Sequence, residues 1–216
     1  MVKIAFIGAG SVEFTRNVVT DLCSFGELHG DLELSLHDID AERLGYADAL
    51  AKRISAQSDA GASVVSSIDR LTAVEGADYV VNEIQVGGYR ATRMDFDIPT
   101  RYGIRQTIAD TIGIGGIFRG LRTIPVLTQI GEDLAKVAPD AYLLNYSNPM
   151  AMLPWAVYAG SPFDRVVGLC HSVRDTHRFL AGLVDLPVSE IDFVTAGFNH
   201  QAFVPKFAHQ GGDLYP

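Results

Sequence analysis

Apolar runs of strand length alternate along the chain with stretches in which apolar residues recur at helical spacing. The strand-like runs are Val2 to Ile7, Leu32 to Leu36, Tyr79 to Asn82, Ala141 to Asn145, Arg165 to Leu169 and Asp192 to Ala196. Helical periodicity fills the spaces between them, for example from Glu13 to Phe25 and from Ala41 to Gln57. This alternation predicts an α/β fold, a Rossmann-like doubly wound parallel sheet with helices on both sides.

One long stretch, Gln85 to Ile117, lacks a clear period and contains glycine clusters near both of its ends. We expect it to be irregular, because glycine clusters mark tight bends, approach to a ligand or ordinary surface turns. The length of 216 residues fits one large domain, or one domain plus a fragment of another.

The first strand runs into a glycine turn and then into a helical stretch. Gly8 and Gly10 allow a tight turn, and Ser11 opens the helix, whose free amides and dipole suit a pyrophosphate. The usual third glycine is replaced by Glu13. A dinucleotide site is therefore predicted, with an unligated strand-turn-helix as the alternative.

Polar residues at two further strand ends extend this prediction. Asp38 follows the second strand at the position where a carboxylate contacts an adenine ribose, and it favours NAD over NADP. Asp40 fits the cap of the following helix. Asn82 ends its strand and is expected either to contact the cofactor or to stabilise a turn.

Polar residues in the second half of the chain suggest a metal ion. Cys170, His200 and Asn148 each follow a strand-like run, and carboxyl strand ends of a parallel sheet line one crevice. Thiolate and imidazole suit a borderline divalent ion and leave positions for substrate hydroxyls. Alternatively, Cys170 and His200 are buried structural residues, and Asn148 forms a purely structural Asx turn. His171 is a further candidate, as the ligand or as a hydrogen-bond partner of the substrate.

Composition and net charge limit the classes of binding partner that are expected. The formal net charge of -9 gives no electrostatic reason to bind nucleic acid or an anionic membrane, so a small molecule is expected. The 2 cysteines cannot build a disulfide framework. Without a signal-like start or an apolar run of membrane length, a cytoplasmic location is expected. Exposed apolar surface would favour a homo-oligomer.

Short strings around these strand ends, taken together, carry a family resemblance. They are Gly8-Ala9-Gly10-Ser11, Asp38-Ile39-Asp40, Gln106-Thr107-Ile108-Ala109-Asp110-Thr111, Asn145-Tyr146-Ser147-Asn148-Pro149-Met150, Gly168-Leu169-Cys170-His171-Ser172 and Gly197-Phe198-Asn199-His200. The set resembles glycoside hydrolase family 4 over the whole chain. Strings within residues 106–111, 115–125 and 148–152 are most similar to the α-galactosidases of that family.

The resemblance implies NAD, a divalent metal that is usually manganese, and glycoside hydrolysis by a redox-neutral elimination rather than by two carboxylates. In such a route, carbon 3 of the sugar is transiently oxidised and the proton on carbon 2 is removed. The aglycone then leaves, water adds and the hydride returns. The implied activity is that of an α-galactosidase, with α-glucosidase and α-galacturonidase activities as alternatives within the family.

Residue by residue, the resemblance assigns the metal to Cys170 and His200, sugar hydroxyls to Asn148, and the cofactor to Gly8, Gly10, Ser11 and Asp38. His171 stands where some relatives carry an acidic residue proposed as the general acid, so His171 and Asp110 are both candidates for that role. Family members are roughly twice as long, and the tyrosine base of the family has no counterpart before Pro216. The chain is therefore expected to be the N-terminal part of an enzyme. Residues 1–188 would form an NAD-binding Rossmann-like domain, and residues 189–216 would be the truncated beginning of a C-terminal α+β catalytic domain for substrate and metal.

Two readings from other functional classes remain open. An NAD-dependent dehydrogenase of the lactate and malate type would share the sheet and the glycine turn, although a carboxylate-binding arginine and a paired histidine are not evident. A non-catalytic dinucleotide-binding module is the other alternative. Net NADH formation would favour the former, and NAD binding without metal binding would favour the latter.

Overall fold

A computed structural model describes residues 1–108 and 110–216. Ala109, one residue of the string from Gln106 to Thr111, lies outside the described residues. Packing divides the chain into two units, Met1–Gly168 and Leu169–Pro216, and each is described by itself. In the described part of the chain, no helix combines the length and the apolar character needed to cross a membrane.

Strands and helices alternate through the first unit. The strands are β1 (Val2–Ile7), β2 (Leu32–His37), β3 (Ser63–Ser67), β4 (Tyr79–Asn82), β5 (Tyr142–Asn145) and β6 (Val166–Gly168). The helices are α1 (Val12–Ser24), α2 (Ala41–Gln57), α3 (Arg70–Val74), α4 (Gly88–Arg101), α5 (Gly113–Val137) and α6 (Leu153–Gly160), with a short 3-10 turn at Gly26–Leu28.

The sheet of this unit is parallel, with the strand order β3-β2-β1-β4-β5-β6. The predicted α/β, Rossmann-like doubly wound fold is thus confirmed. The chain order reverses on either side of β1, where Ile7 pairs with His37 of β2 and with Asn82 of β4. Ligands of open α/β sheets bind outside the carboxyl ends of the strands at such a reversal. The expected ligand site is therefore at the carboxyl ends of β1 and β4.

Both faces of the sheet are buried, which explains why β1 is apolar from Ile4 to Ile7. Ala5 and Ile7 join a core beneath α5 and α6, whereas Ile4 and Phe6 join a second core with residues of α1 and α2. A parallel strand covered by helices on both faces has no solvent-facing positions and therefore shows no polar alternation.

Two parts of the first unit differ from the sequence-based expectation. The stretch expected to be irregular contains α4 and the start of α5, because Ala91, Asp95 and Pro99 form a buried face at helical spacing. Strand β3 was not predicted, since its Ser63–Ser67 sequence lacks a continuous apolar run.

The second unit is a small α+β element. Helix α7 (Ser172–Leu183) is followed by a 3-10 turn at Val188–Glu190 and by the antiparallel strands β7 (Ile191–Phe198), β8 (Gln201–His209) and β9 (Gly212–Asp213). Ala181 of α7, Ile191 and Phe207 form its core. The run from Asp192 to Ala196 therefore lies in an antiparallel sheet and does not extend the parallel one.

The packing boundary between Gly168 and Leu169 falls ahead of the boundary expected at residue 188. The reason is that Leu180, Ala181 and Val184 of the α7 region pack against the small sheet. The functional domain ranges, 1–188 and 189–216, stay a prediction.

Candidate cofactor site and metal pair

The turn after β1 is so tight that only glycine fits at its first position. Gly8 has a φ of 90°, and a Cβ on it would lie 3.0 Å from the backbone of Glu83 and of Ile84. The amides of Gly8 and Ala9 both donate to the carbonyl oxygen of His37, each at 2.9 Å. The turn is thus held against β2 on one side and pressed against the end of β4 on the other.

Side chains hydrogen-bond to both the amide and the carbonyl group of Gly10. Its amide donates to Asp38 Oδ2 at 2.8 Å, and its carbonyl accepts from Arg43 Nε at 3.0 Å. The other Asp38 oxygen, Oδ1, accepts from the amide of Asp40 at 2.9 Å. A Cβ on Gly10 would lie 2.6 Å from Asp38 Oδ2, so this position also requires glycine. Asp38 therefore fixes the turn, and its free lone pairs remain available to ribose hydroxyls.

Helix α1 begins directly after this turn, with Ser11 as its N-cap. No side chain in the described ranges caps the first turn of α1, so the amides at its start lack side-chain acceptors. Such amides, together with the helix dipole, fit an anion such as a pyrophosphate. The assignments of Gly8, Gly10, Ser11 and Asp38 to a cofactor stay predictions with which this geometry agrees.

The absent third glycine has a structural explanation. Glu13 is exposed, whereas Thr15 is only 1% exposed and makes the close approach. The Thr15 hydroxyl lies 2.8 Å from the carbonyl oxygen of Ala9. Helix α1 thus packs on the sheet through Thr15, and glycine is not needed at position 13.

Asn82 is fully buried at the end of β4. Its Nδ2 donates to Asn145 Oδ1 at 2.7 Å and lies 3.3 Å from Ser147 Oγ, which in turn donates to the carbonyl of Ile84 at 2.8 Å. Asn82 Oδ1 has no partner among the described residues. The side chain ties the ends of β4 and β5 together, and its contact with a cofactor stays a prediction.

A second polar cluster of the first unit joins the segment before α5 to the segment after β5. Asn148 Nδ2 lies 3.4 Å from Asp110 Oδ2, and Arg119 Nε donates to the carbonyl of Asn148 at 3.1 Å. Burial lowers the pKa of the Arg119 guanidinium, while the charge of Asp110, 3.9 Å away, opposes that effect. Asp110 and Asn148, predicted for catalysis and for sugar hydroxyls, are therefore neighbours.

The thiol of Cys170 and the imidazole of His200 meet in the second unit. Cys170 Sγ lies 3.8 Å from His200 Nε2, and Ser172 Oγ lies 3.0 Å from the sulfur and 3.4 Å from the imidazole nitrogen. His200 occupies the turn between β7 and β8 with a φ of 65°. A turn residue and the start of α7 thus bring together two side chains that are distant in sequence.

This pair fits a divalent ion. Usual metal-sulfur and metal-nitrogen bond lengths at a tetrahedral angle place the two ligand atoms about 3.6 Å apart, close to the observed separation. Within residues 1–108 and 110–216, no third histidine, cysteine or acidic side chain completes a cluster. Two protein ligands would leave open positions for substrate oxygens.

The surroundings of Cys170 also favour the thiolate form by lowering the pKa of its thiol. Burial raises its pKa, but hydrogen bonds from the hydroxyl and amide of Ser172 and from Asn199 outweigh that effect, and the net pKa is lowered. A thiolate is the form that binds a metal. The adjacent His171 is 72% exposed, with Nε2 3.8 Å from Asp175 Oδ2, and its roles as acid or substrate contact stay predictions.

Comparison with known proteins decides the family. The model of the family 4 glycosyl hydrolases matches residues 3–186. The chain belongs to that family. It is 45% identical over its full length to an α-galactosidase of Bacillus subtilis (strain 168), and 40% identical over 93% of its length to one of Rhizobium meliloti (strain 1021). These matches cover 50% and 41% of the two relatives, so the chain spans about half the length of the curated relatives it matches.

Solved structures agree with this family. A 6-phospho-α-glucosidase from gut microorganisms, in complex with NAD and Mn²⁺, superposes with a TM-score of 0.88 at 25% identity, covering 99% of this chain and 48% of that one. The suspected family 4 resemblance is thus confirmed.

Several residues of the family 4 chain that shape these sites were not identified from the sequence. Arg43 and Thr15 hold the glycine turn, Arg119 contacts Asn148, and Ser172 touches both members of the metal pair. Glu83 lies against Gly8 at the strand reversal. Its place directly after β4 is the one sequence signal that could have drawn attention to it.

Proposed function

We propose that the protein is an NAD- and divalent-metal-dependent glycosidase that hydrolyses α-galactosides. The observation that carries the proposal is the thiol-imidazole pair of Cys170 and His200, 3.8 Å apart, in a family 4 chain that also has a tightly held dinucleotide turn. A plain dinucleotide-binding module has no need for a thiol whose pKa is lowered beside an imidazole.

The cofactor would be held mainly by the backbone. The turn from Gly8 to Gly10 and the uncapped start of α1 would bind the pyrophosphate, and Asp38 would accept from the adenine ribose. The carboxylate of Asp38 would repel a ribose phosphate, so NAD is preferred over NADP. When bound, NAD supplies reversible hydride acceptance, which makes a transient oxidation of the sugar available.

The metal would be held by Cys170 and His200, with manganese as the proposed ion. When bound, a divalent ion supplies positive charge that stabilises negative charge on substrate oxygens. Ser172 donates towards the sulfur and so orients the thiolate. The exposed turn of His200 leaves its ring accessible.

Asn148 and Asp110 would recognise sugar hydroxyls. The side-chain amide of Asn148 can both donate and accept, while the carboxylate of Asp110 accepts. Arg119 holds the Asn148 backbone by donating to its carbonyl oxygen. Such a set distinguishes the positions of hydroxyl groups on a sugar ring, since each misplaced hydroxyl leaves a polar partner unpaired. His171 is the proposed general acid, with Asp110 as the alternative.

Galactosides are the proposed substrates because both curated relatives described above are named α-galactosidases. The intact protein should be incubated with nitrophenyl α-galactoside, NAD, Mn²⁺ and a thiol reductant. Release of nitrophenol should require both NAD and the metal and should be lost in Cys170→Ala. Hydrolysis that survives removal of NAD would sink the mechanism.

Parallel substrates separate the remaining alternatives. Faster release from nitrophenyl α-glucoside or α-galacturonide would reassign the sugar while keeping the mechanism. Steady NADH accumulation with a hydroxy acid, without glycoside cleavage, would indicate a dehydrogenase. Calorimetry that detects NAD but no Mn²⁺ binding would indicate a dinucleotide-binding module.

A further inference from the structure

Glu83 is a carboxyl group in an unusual place. It follows Asn82 at the end of β4, and its backbone touches the position where Gly8 would carry a Cβ. Its Oε1 is buried, with no hydrogen-bond partner among the described residues. An ionised carboxylate in such a place would lose hydration without compensation, which favours the neutral acid.

The hydrogen bonds of Thr15 point in the same direction. The Thr15 hydroxyl lies 2.8 Å from the carbonyl oxygen of Ala9 and 3.2 Å from Glu83 Oε2. A hydroxyl has one proton, and the Ala9 carbonyl can only accept, so the shorter contact takes the Thr15 proton. Glu83 can then complete the second contact only as a donor, which requires its carboxyl to be protonated.

The titratable groups around Glu83 do not compensate a negative charge. Burial raises the pKa of Glu83 to about 8. The neighbouring phenol of Tyr146 has a pKa raised by burial and then by the charges of Glu83 and Asp21, so it stays neutral. Among the described residues, no cation lies within hydrogen-bond distance of the Glu83 carboxyl.

We propose that protonated Glu83 is a positioning residue that holds the dinucleotide turn through Thr15 and Ala9, and that its ionisation weakens NAD binding. Ionisation would remove the donor to Thr15 and place a negative charge beside the first turn of α1. That charge would oppose the helix amides that bind a pyrophosphate. The inference rests on the proposed use of NAD.

The test is the affinity for NAD as a function of pH, measured by calorimetry on the intact protein without substrate. For the unmodified protein, we expect the Kd to rise about threefold to tenfold between about pH 6.5 and pH 9.5, with the dependence of a single proton. In Glu83→Gln, the side-chain amide keeps a donor for Thr15 and cannot ionise. Its Kd should therefore stay constant over the same range.

Glu75→Gln is the matched control, because Glu75 is an exposed carboxylate of the same unit. It should keep the pH dependence of the unmodified protein. A flat profile in the unmodified protein, or a slope retained in Glu83→Gln, overturns the role of Glu83. Failure to bind NAD at any pH overturns the proposed cofactor as well.

A second measurement needs no variant. The infrared spectrum of the unmodified protein should show the carbonyl band of a neutral carboxylic acid at about pH 7, and this band should disappear by about pH 9.5. Absence of the band at neutral pH would overturn the protonated state on which the proposal depends.

Discussion

The dinucleotide turn and the metal pair are built in opposite ways. The turn consists of backbone groups, which His37, Asp38 and Arg43 hold from neighbouring elements. The metal pair consists of two side chains, Cys170 and His200, at an exposed surface with Ser172 beside them. Loss of one holding contact should weaken the turn gradually, whereas loss of one member should end metal binding.

Cys170→Ala should have the largest effect. Removing one of two protein ligands should lower Mn²⁺ affinity by more than about a hundredfold, since even partners outside the ligand set contribute tenfold to a hundredfold. The affinity for NAD should change by less than about twofold if the two sites are built independently.

Metal titration by calorimetry, with NAD titrated separately, measures both effects. Cys23→Ala is the matched control, because Cys23 is a buried core residue and should leave metal affinity intact. Equal loss of metal binding in both variants would contradict the assignment of the metal to Cys170.

Gly8→Ala should have the next largest effect, because it should destabilise the dinucleotide turn. The new Cβ would lie 3.0 Å from the backbone of Glu83 and Ile84 at a φ of 90°. We expect a loss of about 2 to 4 kcal/mol of unfolding free energy, from backbone strain and overpacking, with loss of NAD binding.

Denaturant unfolding measures this loss. Gly76→Ala is the control, because Gly76 has a φ of 65° but open space around the added Cβ. It should cost about 1 kcal/mol, the strain without the clash. Similar costs for both variants would show that close packing of the turn on β4 contributes little.

The unfolding free energy should depend on pH through Glu83. Its pKa is raised from 4.5 to about 8 on folding, so the folded state holds a proton that the unfolded state releases between those values. Stability from this group is therefore greatest at low pH, declines as pH rises to about 8, and is constant above.

The decline should reach at most about 1.4 kcal/mol per pH unit, reduced by any water that reaches the carboxyl. Denaturant unfolding at several pH values should show that Glu83→Gln is less dependent on pH and more stable than the unmodified protein near pH 8. Parallel profiles for the two proteins would contradict the raised pKa.

Of the four predicted effects, that of Asp38→Asn on stability and NAD binding should be the smallest. Both carboxylate oxygens of Asp38 accept from backbone amides, so an asparagine must turn its NH₂ group towards one of those donors. We expect a cost of about 1 to 2 kcal/mol and weaker NAD binding.

Unfolding and NAD calorimetry again provide the measurements. Asp40→Ala removes the cap of α2, which should cost about 1 kcal/mol without changing the affinity for NAD. If Asp38→Asn changes neither quantity, Asp38 does not hold the turn.

The sequence allowed the sheet and the proximity of Cys170 and His200 to be predicted because their signals are local. Gly8 and Gly10 mark the turn, and Cys170 and His200 each follow a strand-like run. Helix α4 was missed because Gly87, Gly88 and Pro99 obscure its period, and tertiary burial of Asp95 against Arg122 stabilises it.

Contacts between distant segments could not be predicted. The burial of Glu83 depends on how the end of β4 meets α1, and Ser172 reaches His200 only because the β7-β8 turn folds back. In the same way, the sequence indicates that Asp38 is acidic, but not that both of its oxygens bind the backbone.

The double hold on Gly10 has a kinetic consequence. Its amide and carbonyl are both occupied by side chains of the same unit, so the turn is already ordered before any ligand arrives. A ligand that docks there loses its own freedom but does not have to order a loop, and the conformational entropy of the turn was lost on folding. Association should therefore follow a single step whose rate depends on encounter and orientation rather than on a rearrangement of the protein.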